Sequence, residues 1–224
     1  MLTGEPSETA WAAAAHRAVH QVLERGRIFA DPLALRLVGS EAARLVEEAT
    51  ERPTSRRMRI FVAVRARFAE DALNRAVARG ASQVVVLGAG LDTFAYRNSF
   101  ANSLRIFEVD HPATQAWKRD LLNRAEIPIP SALTFAPIDF ERQTLAQGLD
   151  AAGFDGRRQT FSPGSVWFHI LPRPPSFPRF VSLRAFPPVH TLFSITATLP
   201  KRYRRKHART TMLARSAWPE WARH

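Results

Sequence analysis

The hydrophobic positions of residues 1–80 recur with helical spacing. Residues 9–24 form an alanine-rich amphipathic segment, and Ser55–Ala78 is a long periodic segment followed by a glycine, which is typical of a helix C-terminus. Pro32–Val38 and residues 41–48 are shorter apolar segments that predict short helices. We therefore expect an N-terminal helical cap over residues 1–80.

After residue 80 the pattern changes to short apolar runs of strand length. Val84 to Leu87 are consecutive apolar residues that lead directly into the glycine turn Gly88-Ala89-Gly90. The run predicts a buried parallel strand, and the glycines predict a turn where the backbone comes close to a ligand. A plain strand-to-loop turn is the alternative explanation.

A second apolar run, residues 104–109, ends at a carboxylate. Asp110 follows the glycines by about 20 residues, a spacing typical of a nucleotide-type cofactor site. It would accept hydrogen bonds from both ribose hydroxyls, because a carboxylate carries only acceptors. Capping the helix that begins at Pro112 is the alternative role. Glu108, on the other face of the sheet, is a weaker candidate for the ribose.

Strands and helices alternate in this part of the chain. A helix opened by Pro112 follows the second run, a third strand is predicted over residues 133–138, and a further helix over residues 141–152. This alternation indicates an α/β fold with a parallel, doubly wound sheet, whose ligand lies at the carboxyl ends of the strands.

The residues after the glycines disfavour a dinucleotide. A nicotinamide-binding fingerprint requires a third glycine where this chain has Thr93, and Asp92 would set a negative charge beside a pyrophosphate. An acidic residue there favours a cationic ligand, such as a sulfonium that carries an amino group. Fixing its own loop is the alternative role of Asp92.

Charge and proline content divide the sequence near Gly156. Residues 1–156 hold 19 basic and 19 acidic side chains, whereas residues 157–224 hold 13 basic side chains and one acidic one, so the second part carries the whole net charge of +12. It also contains nine of the 16 prolines, which break helices and remove donors from strands. We expect an irregular basic tail over residues 156–224, and nucleic-acid binding through it is an alternative function.

The composition also limits the chemistry and the location. The chain contains no cysteine, and His16, His20 and His111 lack partners at ligand spacing, so no metal site is predicted. The first residues include two early acids and no apolar run, unlike a signal peptide, and no segment has the apolar length of a membrane span. A cytoplasmic protein without membrane contact is therefore expected.

Several separated motifs occur together in one known family. LGAGLDTFAYR and FEVDHP, preceded by DPLALRLVG and RARFAEDAL and followed by LTFAPIDFE, resemble the S-adenosyl-L-methionine-dependent methyltransferases related to leucine carboxyl methyltransferase, in particular their bacterial branch. The resemblance implies a Rossmann-like class I methyltransferase fold and S-adenosyl-L-methionine as the cofactor. Residues 81–155 would form the half that binds this cofactor.

The resemblance also implies roles for single residues. Gly88 and Gly90 would let the backbone approach the methionine part of the cofactor, and Arg65 would pair with its carboxylate. Asp139 would accept from the adenine amino group, or cap a helix instead, and Phe140 would cover the ring. The predicted cofactor-binding set is Arg65, Gly88, Gly90, Asp92, Asp110, Asp139 and Phe140.

The resemblance ends near residue 155, where the related enzymes carry a fourth strand similar to FFSWLGVVPYL. Codons permitted for TFSPGSVWFHI, which begins at Thr160, encode FFSWLGVVPY once their first two bases are dropped, and residues 192–200 permit VFDYSDPP in the same frame. We therefore predict a reading-frame shift near Gly156 and a sheet that is incomplete after the third strand. An impaired enzyme or a cofactor-binding remnant would result. The sequence identifies no catalytic residue, and it leaves the methyl acceptor, a small molecule or a protein carboxylate, open.

Overall fold

The computed structural model describes residues 7–100 and 103–163 of the 224-residue chain. These residues belong to one compact unit, in which a group of N-terminal helices precedes a parallel sheet. The predicted basic tail lies outside the described residues from position 164 onward.

Local sequence signals explain where the N-terminal helices begin. The Ser7 side chain accepts a hydrogen bond from the Ala10 amide at the start of the first helix. Asp31 caps the second helix, and Pro32 occupies its first position, where a missing N–H removes no helical hydrogen bond. A 3-10 turn over Gly39–Glu41 precedes the third helix. The four α-helices are α1 (Glu8–Leu23), α2 (Pro32–Val38), α3 (Ala42–Glu51) and α4 (Ser55–Ala78).

Four strands form the described sheet, and all of its neighbouring pairs are parallel. They are β1 (Gln83–Leu87), β2 (Arg105–Asp110), β3 (Leu133–Pro137) and β4 (Thr160–Phe161). The spatial order is β3-β2-β1-β4. Three further helices lie between the strands along the chain: α5 (Phe94–Arg97), α6 (Pro112–Arg124) and α7 (Leu145–Ala151).

Alternate residues of β1, β2 and β3 enter separate hydrophobic clusters on the two faces of the sheet, as the pleat requires. One cluster contains Val84, Val86 and Ile106 together with Leu73 of α4. Another contains Val85 and Phe107 together with residues of α7. A third cluster joins α1 and α2 to the loop after β1 and to α6. The predicted α/β, Rossmann-like, doubly wound sheet with an N-terminal helical cap is confirmed.

The end of the described region differs from the sequence-based expectation. A sheet that is incomplete after the third strand would leave the edge of β1 away from β2 without a partner strand. In the structure, Thr160 and Phe161 form the short strand β4, which pairs with Gln83 and Val84 at this edge. The Gln83 side chain donates to the Asp155 carbonyl and fixes the approach to this strand. Ordered contacts therefore extend past Gly156, although β4 has only two residues.

The helix after β3 also begins later than predicted. It starts at Leu145, because Thr144 and Gln147 form a reciprocal capping box there. Asp139 instead accepts from the Glu141 amide in the preceding turn.

Candidate cofactor-binding site

The glycine turn after β1 has two positions with left-handed backbone conformations. Gly88 has φ +62° and Gly90 has φ +47°. A β-carbon at Gly90 would lie 2.8 Å from the Ala10 side chain of α1, whereas one at Gly88 would meet no atom within 4 Å. Gly90 is therefore required for packing against the cap, and Gly88 borders open space that a ligand can approach.

Asp110 lies at the carboxyl end of β2 and is hydrogen-bonded to this turn. Its Oδ2 atom accepts from the Gly90 amide at 2.6 Å, and its Oδ1 atom accepts from the His111 amide at 2.7 Å. The cap of α6 is His111, whose ring nitrogen accepts from Ala113. Asp110 is thus not the helix cap that was its alternative role, and the structure brings it together with the glycines.

The charge of Asp92 acts on Arg65. Asp92 accepts from the Phe94 amide at 2.7 Å, which orders the start of α5. Burial lowers the pKa of the Arg65 guanidinium and the neighbouring charge of Arg17 lowers it further, while Asp92 acts in the opposite direction. The Arg65 guanidinium also lies 6.0 Å from the Phe61 ring. The two residues that are predicted to bind the amino-acid part of the cofactor, Arg65 and Asp92, therefore interact electrostatically with each other.

Asp139 and Phe140 follow β3, whose carboxyl end lies beside that of β2. The Ile138 amide donates to the Asp110 carbonyl at 2.9 Å, so the residue before Asp139 is tied to the end of β2. Asp139 is partly buried and pairs with Arg142 at 3.3 Å. Phe140 is 57% exposed. An exposed aromatic ring at this edge is available to cover a planar ligand.

A buried ion-pair network connects the cap to the turn, and no pattern in the sequence predicted it. Asp31, fully buried, accepts from Arg17 at 2.9 Å and from the Thr93 hydroxyl at 2.7 Å. Arg97 donates to Thr93 and pairs with Glu70 of α4. The sequence features that belong to this network are the Asp-Pro pair of DPLALRLVG and the Thr of LGAGLDT. They are distant in sequence, so their contact could not be recognised from the sequence.

Glu108 lies two residues before Asp110 in β2 and therefore on the same face of this strand, not on the other face of the sheet as expected. Its carboxylate is buried and pairs with the buried Lys118 ammonium at 2.6 Å. Burial raises the pKa of Glu108 to about 7, against the effect of Lys118. Glu108 is thus held by α6 inside the protein, and it is not placed to contact a ribose.

A small cavity opens between α4, β1 and β4 next to the turn. Apolar side chains form most of its wall, and Glu70 and Asp92 are its charged residues. Burial raises the pKa of Glu70, while the partner guanidinium of Arg97 counteracts this effect. Phe161 and Pro163 complete the wall from the β4 side. The cavity therefore lies between the acidic residues Glu70 and Asp92 on one side and the last described residues, Phe161 and Pro163, on the other.

The fold and the site define a nucleotide-type cofactor-binding domain of the doubly wound class. A family model described as leucine carboxyl methyltransferase matches residues 10–166, and the chain belongs to that family. The prediction of a family of S-adenosyl-L-methionine-dependent methyltransferases is confirmed, and with it the cofactor of the family.

Curated relatives from three bacteria carry the name "Putative S-adenosyl-L-methionine-dependent methyltransferase". A Bacillus subtilis protein is 42% identical over 107 residues, which are 47% of this chain and 35% of the relative. A Frankia alni protein is 33% identical over 70% of this chain and 57% of its own length. A Streptomyces coelicolor protein is 35% identical over 72% of this chain and 60% of its own length. The chain thus spans between a third and three fifths of these relatives.

Proposed function

We propose that this chain binds S-adenosyl-L-methionine at the carboxyl ends of β1, β2 and β3 and serves methyl transfer to an acceptor. The observation that carries the proposal is the hydrogen bond between Gly90 and Asp110, because it joins the two motifs of the family at one point. The relatives' names and the family match support the same activity.

The residues at the site fit the chemistry of this cofactor. Open space at Gly88 leaves room for the backbone to approach a ligand. Asp110 offers carboxylate oxygens to ribose hydroxyls, and Asp139 is the predicted acceptor for the adenine amino group. Arg65 and Asp92 have the charges that a carboxylate and an ammonium group require. The set thus contains a partner for each polar part of the cofactor.

In the proposed reaction, the protein contributes mainly by positioning the cofactor. The bound cofactor supplies an electrophilic methyl group on a sulfonium. Arg65 and Asp92 would fix the amino-acid part from the cap side, and Asp110 would fix the ribose from the sheet. Holding the donor in one orientation lets an acceptor approach in line, which accounts for much of the rate gain in such reactions. An acceptor that is already anionic needs no general base, so a carboxylate is the acceptor class that we propose to test first.

The origin of the basic tail forms a second part of the proposal. We propose a frame shift near Gly156 as the origin of the basic segment, and the break in charge and proline content at that position supports it. The family match itself extends to residue 166. Nucleic-acid binding by that segment and a cytoplasmic location stay predictions of the sequence. Sequencing the gene tests the frame: an open offset frame beyond the last codon is expected, and a closed one contradicts it.

Calorimetry with S-adenosyl-L-methionine tests the cofactor directly. We expect saturable binding by the full chain, and weaker binding after Asp110→Ala. S-adenosylhomocysteine should compete, because it retains the ribose and adenine that the sheet residues hold. NADH serves as the negative control, since Asp92 and Thr93 disfavour a dinucleotide. A chain that binds NADH and not S-adenosyl-L-methionine would contradict the proposal.

A further inference from the structure

The glycine turn is held from the cap by a side chain of α1. Arg17 is 4% exposed, and its Nη2 atom donates to the Leu91 carbonyl at 2.6 Å. Leu91 lies between Gly90 and Asp92, so this bond fixes the peptide in the middle of the predicted cofactor contacts. A charged donor to a carbonyl gives a short and strong hydrogen bond.

Asp31 holds Arg17 in this position and contacts the turn itself. The Nε atom of Arg17 donates to Asp31 Oδ2, and the Thr93 hydroxyl donates to Asp31 Oδ1. The same Oδ1 atom accepts from the Ala34 amide at 3.2 Å, which caps α2. One carboxylate therefore joins α1, α2 and the turn, and its position is defined by several donors at once.

The packing of α1 adds a second point of support. Ala10 contacts Gly90 so closely that a β-carbon there would clash. Arg17 follows Ala10 by seven residues, or about two helical turns, and so both side chains lie on one face of α1. This face contacts the turn at two separate places, Gly90 and the Leu91 carbonyl.

We infer that Arg17 and Asp31 are positioning residues, which hold the glycine turn in the geometry that binds the cofactor. The inference rests on the function proposed above. Neither residue needs to touch the cofactor: each acts through Leu91 and Thr93, and a turn fixed in advance binds its ligand without further loss of conformational freedom. A merely structural role would instead lower stability without a specific effect on the turn.

Two variants and a matched control separate these roles. Asp31→Asn removes the charge that pairs with Arg17 and with Arg97. Thr93→Val removes the hydroxyl that donates to Asp31 and accepts from Arg97, and it leaves the Arg17–Asp31 ion pair in place. Glu24→Gln is the control, because Glu24 forms a comparable pair with the buried Arg59, which joins α1 to α4 without contact to the turn. For each protein, the affinity for S-adenosyl-L-methionine, the melting temperature, and amide hydrogen exchange of residues 88–93 are measured.

We expect Asp31→Asn to weaken binding of S-adenosyl-L-methionine about tenfold or more, because Arg17 loses its charged partner; a tenfold change in affinity equals about 1.4 kcal/mol. Thr93→Val should weaken binding about threefold, because the Arg17–Asp31 ion pair remains. Exchange at residues 88–93 should rise in both variants. Glu24→Gln should lower the melting temperature while leaving both affinity and exchange in the turn within about twofold of the parent.

Unchanged exchange at residues 88–93 in both Asp31→Asn and Thr93→Val would overturn the inference, and so would equal losses of affinity in these variants and the control. If the parent chain binds no S-adenosyl-L-methionine, the proposed function fails. The exchange measurement then still decides whether Asp31 holds the turn. Thr93→Val covers the case in which Asp31→Asn does not fold, because it leaves the ion pair in place.

Discussion

The backbone amide of Gly90 donates a 2.6 Å hydrogen bond to the Asp110 carboxylate. Gly90 lies in the turn after β1, whereas Asp110 is the last residue of β2. The parallel pairing of β1 with β2, which sets Leu87 beside Val109, brings the two residues together. The bond holds the turn after β1 in a fixed position relative to the carboxylate at the end of β2. A ligand that contacts both residues would therefore bind to a turn and a carboxylate that are already hydrogen-bonded to each other.

Asp110→Ala should remove most of the affinity for S-adenosyl-L-methionine. We expect a loss of about 2 kcal/mol or more, because ribose hydroxyls lose a charged acceptor and Gly90 loses its partner. Asp110→Asn should give an intermediate loss, since its amide oxygen can still accept from Gly90. Calorimetry measures both values, and equal binding by the parent and Asp110→Ala would contradict the assignment.

Alanine at the two glycines should have different effects. Both variants place a side chain at positive φ, at a cost of about 1–2 kcal/mol. Gly90→Ala additionally clashes with Ala10, so its free energy of unfolding should fall further than that of Gly88→Ala. Gly88→Ala should mainly weaken cofactor binding, because its β-carbon enters open space. Chemical denaturation and calorimetry test the pair, and a greater loss of stability in Gly88→Ala would contradict this account.

The pair of Glu24 with Arg59 should make stability depend on pH in the acidic range. The hydrogen bond from Arg59 is the main cause that holds the pKa of Glu24 below its ordinary value of 4.5. A lowered pKa in the folded state adds stability above the unfolded-state pKa, and this stability is lost as the pH falls through the folded-state pKa. The free energy of unfolding should therefore decrease below pH 4.5, and less so in Glu24→Gln.

At neutral pH, Glu24→Gln should lower the free energy of unfolding by roughly 1–3 kcal/mol, because the buried Arg59 keeps its charge without a full partner. Denaturation curves at several pH values provide both results. Parallel pH profiles for the parent and the variant would show that Glu24 does not contribute to the acid dependence.

Restoring the offset frame after Gly156 should improve cofactor binding. β4 has only two residues in the described structure, so the edge of β1 beyond Val84 lacks strand partners among these residues. A longer fourth strand would cover this apolar edge and reduce self-association. We expect the frame-restored protein to elute as a defined species and to bind S-adenosyl-L-methionine more tightly than the 224-residue chain. Equal affinity would contradict the prediction.

The sequence predicted most secondary structure because its signals are local. Prolines and caps define the start of α2 and α6, and the apolar run from Val84 to Leu87 defines β1. The helix after β3 was predicted several residues too early, because the Asp139 turn and the Thr144 capping box both resemble helix starts. Only the actual hydrogen bonds distinguish the two.

The sequence by itself also determined the family and its cofactor, since glycines, acids and their spacing can be recognised without coordinates. The tertiary structure decided which of these residues meet. It joined Asp110 to Gly90, buried Glu108 against Lys118 of α6, and tied Asp31 to Thr93. These contacts join residues that are 10 to 62 positions apart. No local pattern encodes them, because they depend on strand register and on how α1 and α6 pack in the fold.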